Sequence, residues 1–173
     1  MKYLFISILI FLSTEISIAK DNIIVLPEGF IEFKNHPKLP NFSYLDESGN
    51  FQSINITKGK KTIIHFWATW CNPCIEELPL INKFIESENS KDFDFLFISV
   101  DIGGSNAIMD FLEKHKLKNI GLASDPNGSV QRILNIGGFP TTIIINKNGE
   151  VSYKVEGKIN WNDNKIVDFL NLM

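Results

Sequence analysis

The chain has 173 residues, 44% hydrophobic and 21% charged, with 11 glycines, 7 prolines and 2 cysteines, which excludes disorder as the main state and fits one domain plus its termini. A formal net charge of −3 offers no electrostatic grip on a polyanion and argues against nucleic acid as a partner. Two cysteines make at most one bridge, too little to frame a chain of this size, so a pairing between them would serve chemistry.

Residues 1–19 read as an address. Lys2 is followed by an apolar run from Tyr3 to Leu12, a polar break at Ser13, Thr14 and Glu15, and the small-residue site Ser17-Ile18-Ala19 before Lys20. That order is expected of a secretory signal cleaved after Ala19. The apolar run has ten residues, short of the about 20 that cross a bilayer core; an uncleaved anchor is the alternative. Either way the rest of the chain is expected outside the cytoplasm, in the periplasm, where disulfides persist unless something reduces them.

Residues 20–40, with Pro27, Gly29, Pro37 and Pro40, lack sustained periodicity and read as a surface or partly mobile lead-in. The compact domain is placed at 41–173. Phe42 to Ile56, with Asp46-Glu47-Ser48-Gly49-Asn50 at its centre, predicts a hairpin. Thr62–Ala68 and Phe93–Val100 are β-rich apolar runs typical of strands covered on both faces. Between them Ile75, Leu78, Ile81, Phe84 and Ile85 recur at helical spacing, with Pro79 predicting a kink. Ser105 is expected to cap a helix carrying Ile108, Phe111 and Leu112, before a strand near Gly121–Ala123. Asp125-Pro126-Asn127-Gly128 opens a short helix through Leu134. Thr141–Asn146 and Val151–Val155 flank a turn at Lys147–Glu150, and a last helix spans about Asn162–Leu172. The order predicts an α/β fold, a central mixed sheet flanked by helices.

Trp70-Cys71-Asn72-Pro73-Cys74 falls where a strand turns into a helix. Unpaired N–H groups and the positive dipole end favour negative charge there, lowering the pKa of a thiol so placed. Cys71 is therefore the expected nucleophile. Cys74, three residues on and on the same helix face, is the deeper resolving thiol. Thiolate attack on a partner disulfide followed by displacement through the second thiol completes a two-electron exchange. A zinc site would need a second cysteine pair, and haem attachment would need His where Ile75 stands. A purely structural disulfide closing so small a loop would constrain little of the unfolded chain.

Phe66-Trp67-Ala68-Thr69-Trp70-Cys71-Asn72-Pro73-Cys74, the following Glu77-Leu78-Pro79, and Gly138-Phe139-Pro140-Thr141-Thr142, with Ser99-Val100-Asp101 and the Asn148-Gly149-Glu150 turn, resemble the TlpA/ResA branch of the thioredoxin superfamily. The resemblance runs from about Leu39 to the C-terminus. It implies a thioredoxin-like fold, and the 66 positions from Cys74 to Pro140 leave room for the branch's inserted strand-and-helix unit. It also implies a redox-active Cys71–Cys74 disulfide without cofactor or metal, and a cis Phe139–Pro140 bond beside it, X-Pro being the one bond where cis is cheap. Phe139, Pro140, Trp70 and Pro73 become candidate substrate-binding residues; Phe139 reads equally as plain core, and Trp70 as a shield over the site. Glu77 matches an acid that tunes the buried thiol in the branch. Independently, Glu77 lies three residues after Cys74 and could take that thiol's proton; the alternative is a solvated helix residue like Glu76. His65 departs from the pattern: it holds the strand position where thioredoxin has a buried acid. It reads as a hydrogen-bonded core residue, or, if protonated, as a group that favours a thiolate and shifts the pair towards oxidant. His36 and His115 receive no role.

The expected function is that of an exported thiol:disulfide oxidoreductase, a monomeric reductant of protein disulfides of the cytochrome c or cytochrome oxidase assembly type, supplied with electrons by a membrane donor. The alternatives are a disulfide-forming oxidant and a copper-carrying assembly factor on the same fold, the latter disfavoured because such carriers space their cysteines one residue wider.

Overall fold

A computed structural model describes residues 25–173; the address segment 1–19 lies outside the described residues. In chain order the elements are β1 (Phe30–Glu32), β2 (Ser43–Leu45), β3 (Phe51–Ser53), β4 (Lys61–Trp67), α1 (Asn72–Ile85), β5 (Phe93–Ser99), α2 (Gly104–Lys114), β6 (Ala123–Ser124), α3 (Ser129–Ile133), β7 (Thr141–Ile145), β8 (Val151–Glu156) and α4 (Asn164–Leu172). They build one eight-stranded mixed sheet in the order β1-β8-β7-β4-β5-β6-β2-β3.

The centre of the sheet follows from composition. Every residue of β4 and of β7 is buried, as expected of β-branched and aromatic runs covered on both faces. β4 pairs parallel with β5 and antiparallel with β7, and β5 pairs parallel with β6. β7 and β8 form the expected terminal hairpin. The β2–β3 hairpin joins through a single pairing, Leu45 with Ser124. Its turn is organised by Asp46, whose carboxylate accepts from the N–H of Ser48 (3.0 Å) and of Asn50 (2.9 Å). Gly49 adopts φ +78° there, a conformation that costs glycine little.

The lead-in is more than a surface segment: the sheet begins before Asn41. β1 pairs antiparallel with β8 (Phe30 with Val155, Glu32 with Tyr153), and Phe33 N–H reaches Ser152 O at 2.9 Å. Phe30 is buried edge-on against Phe169 of α4, ring centroids 5.0 Å apart. Without this strand β8 would expose an unpaired edge and Phe30 its ring.

Two helix starts also differ from expectation. Ser105 is not the cap of α2: the helix opens at Gly104, with Gly103 at the N-cap and no side-chain cap. Gly104 has φ +78°, so the chain turns into the helix through glycine's conformational range rather than through a hydroxyl. α4 begins at Asn164 because Asp163 supplies the cap, its carboxylate accepting from Lys165 N–H at 2.8 Å. The other end of α4 is fixed by a buried lysine. Lys61, 2% exposed, donates through Nζ to Leu170 O (2.6 Å) and Asn171 O (3.3 Å), satisfying helix-end carbonyls that lack intrahelical donors.

Candidate active site

β4 delivers the chain to the site and α1 carries it away. Cys71 is the N-cap of α1, with extended backbone (φ −90°, ψ 101°), and its sulfur accepts from Cys74 N–H at 3.3 Å. Asn72 and Pro73 open the helix. Proline is tolerated there because a first-turn N–H has no intrahelical acceptor to lose. Cys71 and Cys74 form a disulfide with Cα atoms 5.2 Å apart. Cys71 is 6% exposed and Cys74 fully buried, so an incoming sulfur meets Cys71 first.

The remaining sequence candidates divide into a rim and a floor. Trp70 is 64% exposed and meets Phe139 edge-on, ring centroids 5.9 Å apart. The Phe139–Pro140 bond is cis, with Phe139 half-buried and Pro140 buried. That ring contact sets the proline loop beside the residue preceding Cys71. Pro73 is exposed on the first turn. Trp70, being largely in solvent, presents an apolar surface rather than a cover.

Glu77 belongs to the floor. The buried residues of α1 are Cys74, Glu77, Leu78, Ile81 and Phe84, one face at i, i+3, i+4 spacing. Glu77 thus shares the buried stripe with Cys74, whereas Glu76 is exposed and pairs with Lys158. Glu77 Oε1 accepts from Trp161 Nε1 (2.7 Å) and Ile159 N–H (3.2 Å), while Oε2 has no hydrogen-bond partner. Burial pushes its carboxyl up to about 7, against the pull of the Trp161 and Ile159 donors and the Lys158 charge.

His65 faces the same point from β4. Its Nδ1 lies 2.9 Å from Thr142 Oγ1 on neighbouring β7, and its Nε2, without a partner, lies 3.9 Å from Glu77 Oε2. Burial pushes its pKa down to about 3. The ring is therefore neutral at physiological pH, in keeping with the hydrogen-bonded core reading of His65 rather than the protonated alternative.

Three partnerships escaped sequence reasoning, although Thr142 and Asp101 stand in motifs that carry the family resemblance. Trp161 is a lone indole in the polar segment between β8 and α4, a signal that could have singled it out. Thr142 is visible only through the β4–β7 register that sets it opposite His65. Asp101 holds the loop entering the site: Oδ2 accepts from Thr69 N–H (3.0 Å) and Ser99 Oγ–H (2.6 Å), and Oδ1 from Thr69 Oγ–H (2.7 Å). Among the described residues no group of three or more His, Cys, Asp or Glu is placed to hold a metal ion.

A mixed sheet with a cysteine pair at the turn from a central strand into a helix, beside a cis-proline loop, defines a thioredoxin-like thiol:disulfide oxidoreductase. The chain belongs to the Redoxin family, whose model matches residues 34–170, and its relatives place it in the TlpA/ResA-like branch. It is 28% identical over 137 residues to thiol-disulfide oxidoreductase ResA of Bacillus cereus, spanning 77% of this chain and 78% of that protein. It is 29% identical over 135 residues to ResA of Bacillus subtilis, spanning 78% and 73%. Among solved structures it is similar to StoA from Bacillus subtilis, with TM-score 0.61, 27% identity, and coverage of 76% of this chain and 99% of that one.

Proposed function

We propose that this oxidoreductase is exported and works in the periplasm as a monomeric reductant of client protein disulfides. The clients are cysteine pairs of the cytochrome c or cytochrome oxidase assembly type, and a membrane-bound disulfide reductase returns the electrons. Export rests on the order of charge, apolar run and small residues in 1–19. A monomer suffices because one chain carries both thiols.

The observation that carries the direction is the charge of the floor. Strong oxidants owe their potential to a stabilised reduced form, in which the thiolate is favoured. Here the helix N-terminus favours a thiolate at Cys71, but the buried face that Cys74 shares holds no cation. His65 is neutral, and Glu77, when ionised, opposes a second negative charge at Cys74. That balance favours the disulfide and makes the dithiol a ready donor.

The cycle then runs in two displacements. Cys71 thiolate attacks the client disulfide, forming a mixed disulfide and releasing one client sulfur. Glu77 takes the Cys74 proton, and Cys74 displaces the second client sulfur from Cys71. The cis-proline loop and Trp70 offer the client backbone and apolar contacts.

The reduction potential tests the direction. A value near that of thioredoxin, roughly −270 mV, is expected; one near the strong oxidant DsbA, roughly −120 mV, would overturn it. Clients are identified with Cys74→Ser expressed in its native compartment, which should hold them as mixed disulfides through Cys71; Cys71→Ser should hold none.

A further inference from the structure

The floor contains an unfinished contact. Each of the two buried groups has one atom secured: His65 Nδ1 by Thr142 Oγ1, and Glu77 Oε1 by Trp161 Nε1 and Ile159 N–H. Each has one atom without a partner, His65 Nε2 and Glu77 Oε2, and these face each other at 3.9 Å with both side chains fully buried. The gap is too long for a hydrogen bond. It is also too short for a bridging water, which needs about 4.5 Å between the atoms it joins. Burial makes two orphaned atoms costly, and one proton placed between them would satisfy both after an approach of roughly 1 Å.

We infer that His65 is a positioning residue for proton transfer from the resolving thiol: its Nε2 accepts the hydrogen bond of Glu77 Oε2 once that oxygen has taken the proton of Cys74. This deepens the reading of Glu77 as proton acceptor and rests on it. In the step, the Cys74 S–H bond breaks and an O–H bond forms on Glu77. The Cys74 electron pair makes the S–S bond to Cys71 while the Cys71–client S–S bond breaks, and the client sulfur leaves as thiolate. The ring stays neutral throughout, with its proton on Nδ1 donated to Thr142.

The environment assigns the direction of help. On α1 stand Cys74 and the exposed Glu76; after β8 stand Lys158, whose charge favours ionised Glu77, and the Trp161 and Ile159 donors, which do the same. β7 offers Thr142 and β5 the ring of Phe97, edge-on to His65 at 5.9 Å between centroids. Of the groups named, His65 Nε2 is the one placed to accept from Glu77 in its acid form.

The test uses the full chain labelled with ¹⁵N-histidine and ¹³C-glutamate, reduced and oxidised. Nε2 of His65 should carry no proton, and its resonance should move with the midpoint of the Glu77 carboxyl; a silent Nε2, or one that carries the proton, overturns the inference. Reduction of a short peptide bearing one disulfide gives the second readout, resolved into attack and release. Glu77→Gln should slow release about a hundredfold, and His65→Phe about tenfold, with no further slowing in the double variant. Equal slowing by His65→Phe with and without Glu77 would mean a merely structural role and sink the proposal, while His65→Gln supplies the same comparison if the phenylalanine fails to fold. Should Glu77→Gln release at the wild-type rate, the reading of Glu77 itself falls.

Discussion

Two buried carboxylates flank the cysteine turn, one gripping the loop that enters it and one on the helix that leaves it, and they are finished to different degrees. Asp101 holds the loop that leads into Cys71, and both its oxygens accept hydrogen bonds, from Thr69 and Ser99. Glu77 lies on the helix that leads away from Cys74, with one oxygen bonded twice and the other unpartnered beside an equally unpartnered imidazole nitrogen. A satisfied buried acid fixes geometry; a half-satisfied one keeps a place open for a proton.

The largest expected difference between the two is in stability against pH. Glu77 has an ordinary value of 4.5 and about 7 in the fold, so between those values the folded chain binds more protons than the unfolded one. Its contribution to stability is full below pH 4.5 and is lost as pH rises to 7, about 3 kcal/mol at 1.36 kcal/mol per unit, whereas buried His65, lowered from 6.5 to about 3, contributes with the opposite sign, its share rising as pH goes from 3 to 6.5. Urea unfolding of the wild type should therefore change little between pH 4.5 and 6.5, and Glu77→Gln should expose a rise of stability with pH over that range. Next comes the exchange rate: the hundredfold slowing of client release in Glu77→Gln should be strongest above pH 7, where the wild-type carboxylate is available as a base, and a uniform loss at all pH values would equate the two acids.

Asp101→Asn should behave in the opposite way. It turns an amide N–H₂ towards donors at Thr69 or Ser99, costing about 2 kcal/mol of stability while leaving the shape of the rate-against-pH profile unchanged; a shifted profile would blur the distinction. The smallest effect serves as a control. Lys61→Met leaves the terminal carbonyls of α4 without their donor and should cost about 1 kcal/mol in thermal unfolding, with peptide disulfide reduction unaltered.

How much of this was legible in the sequence depends on how local the cause is. The Cys71–Cys74 turn, strands β4, β5, β7 and β8, and the buried stripe of α1 each announce themselves within a few consecutive residues. The burial of Glu77 beside an exposed Glu76 follows from helical spacing once Cys74 is set inward. β1 escaped because three residues between Gly29 and Phe33 carry no period; only the free edge of β8 and the ring of Phe169 make them a strand. The partners of the floor escaped for the same kind of reason. Thr142 lies 77 positions from His65, and Trp161 lies 84 from Glu77, so neither is reachable from the pattern around the cysteines. The neutral state of His65 required its complete burial, which a lone histidine in an apolar run suggests but does not quantify.

The clamp on Thr69 has one further consequence. Asp101, on the adjoining strand end, holds the loop before Cys71 through hydrogen bonds that involve neither sulfur. The anchor of the entry loop is thus separate from the bond that electron transfer makes and breaks, so the chain carries its own jig for presenting Cys71.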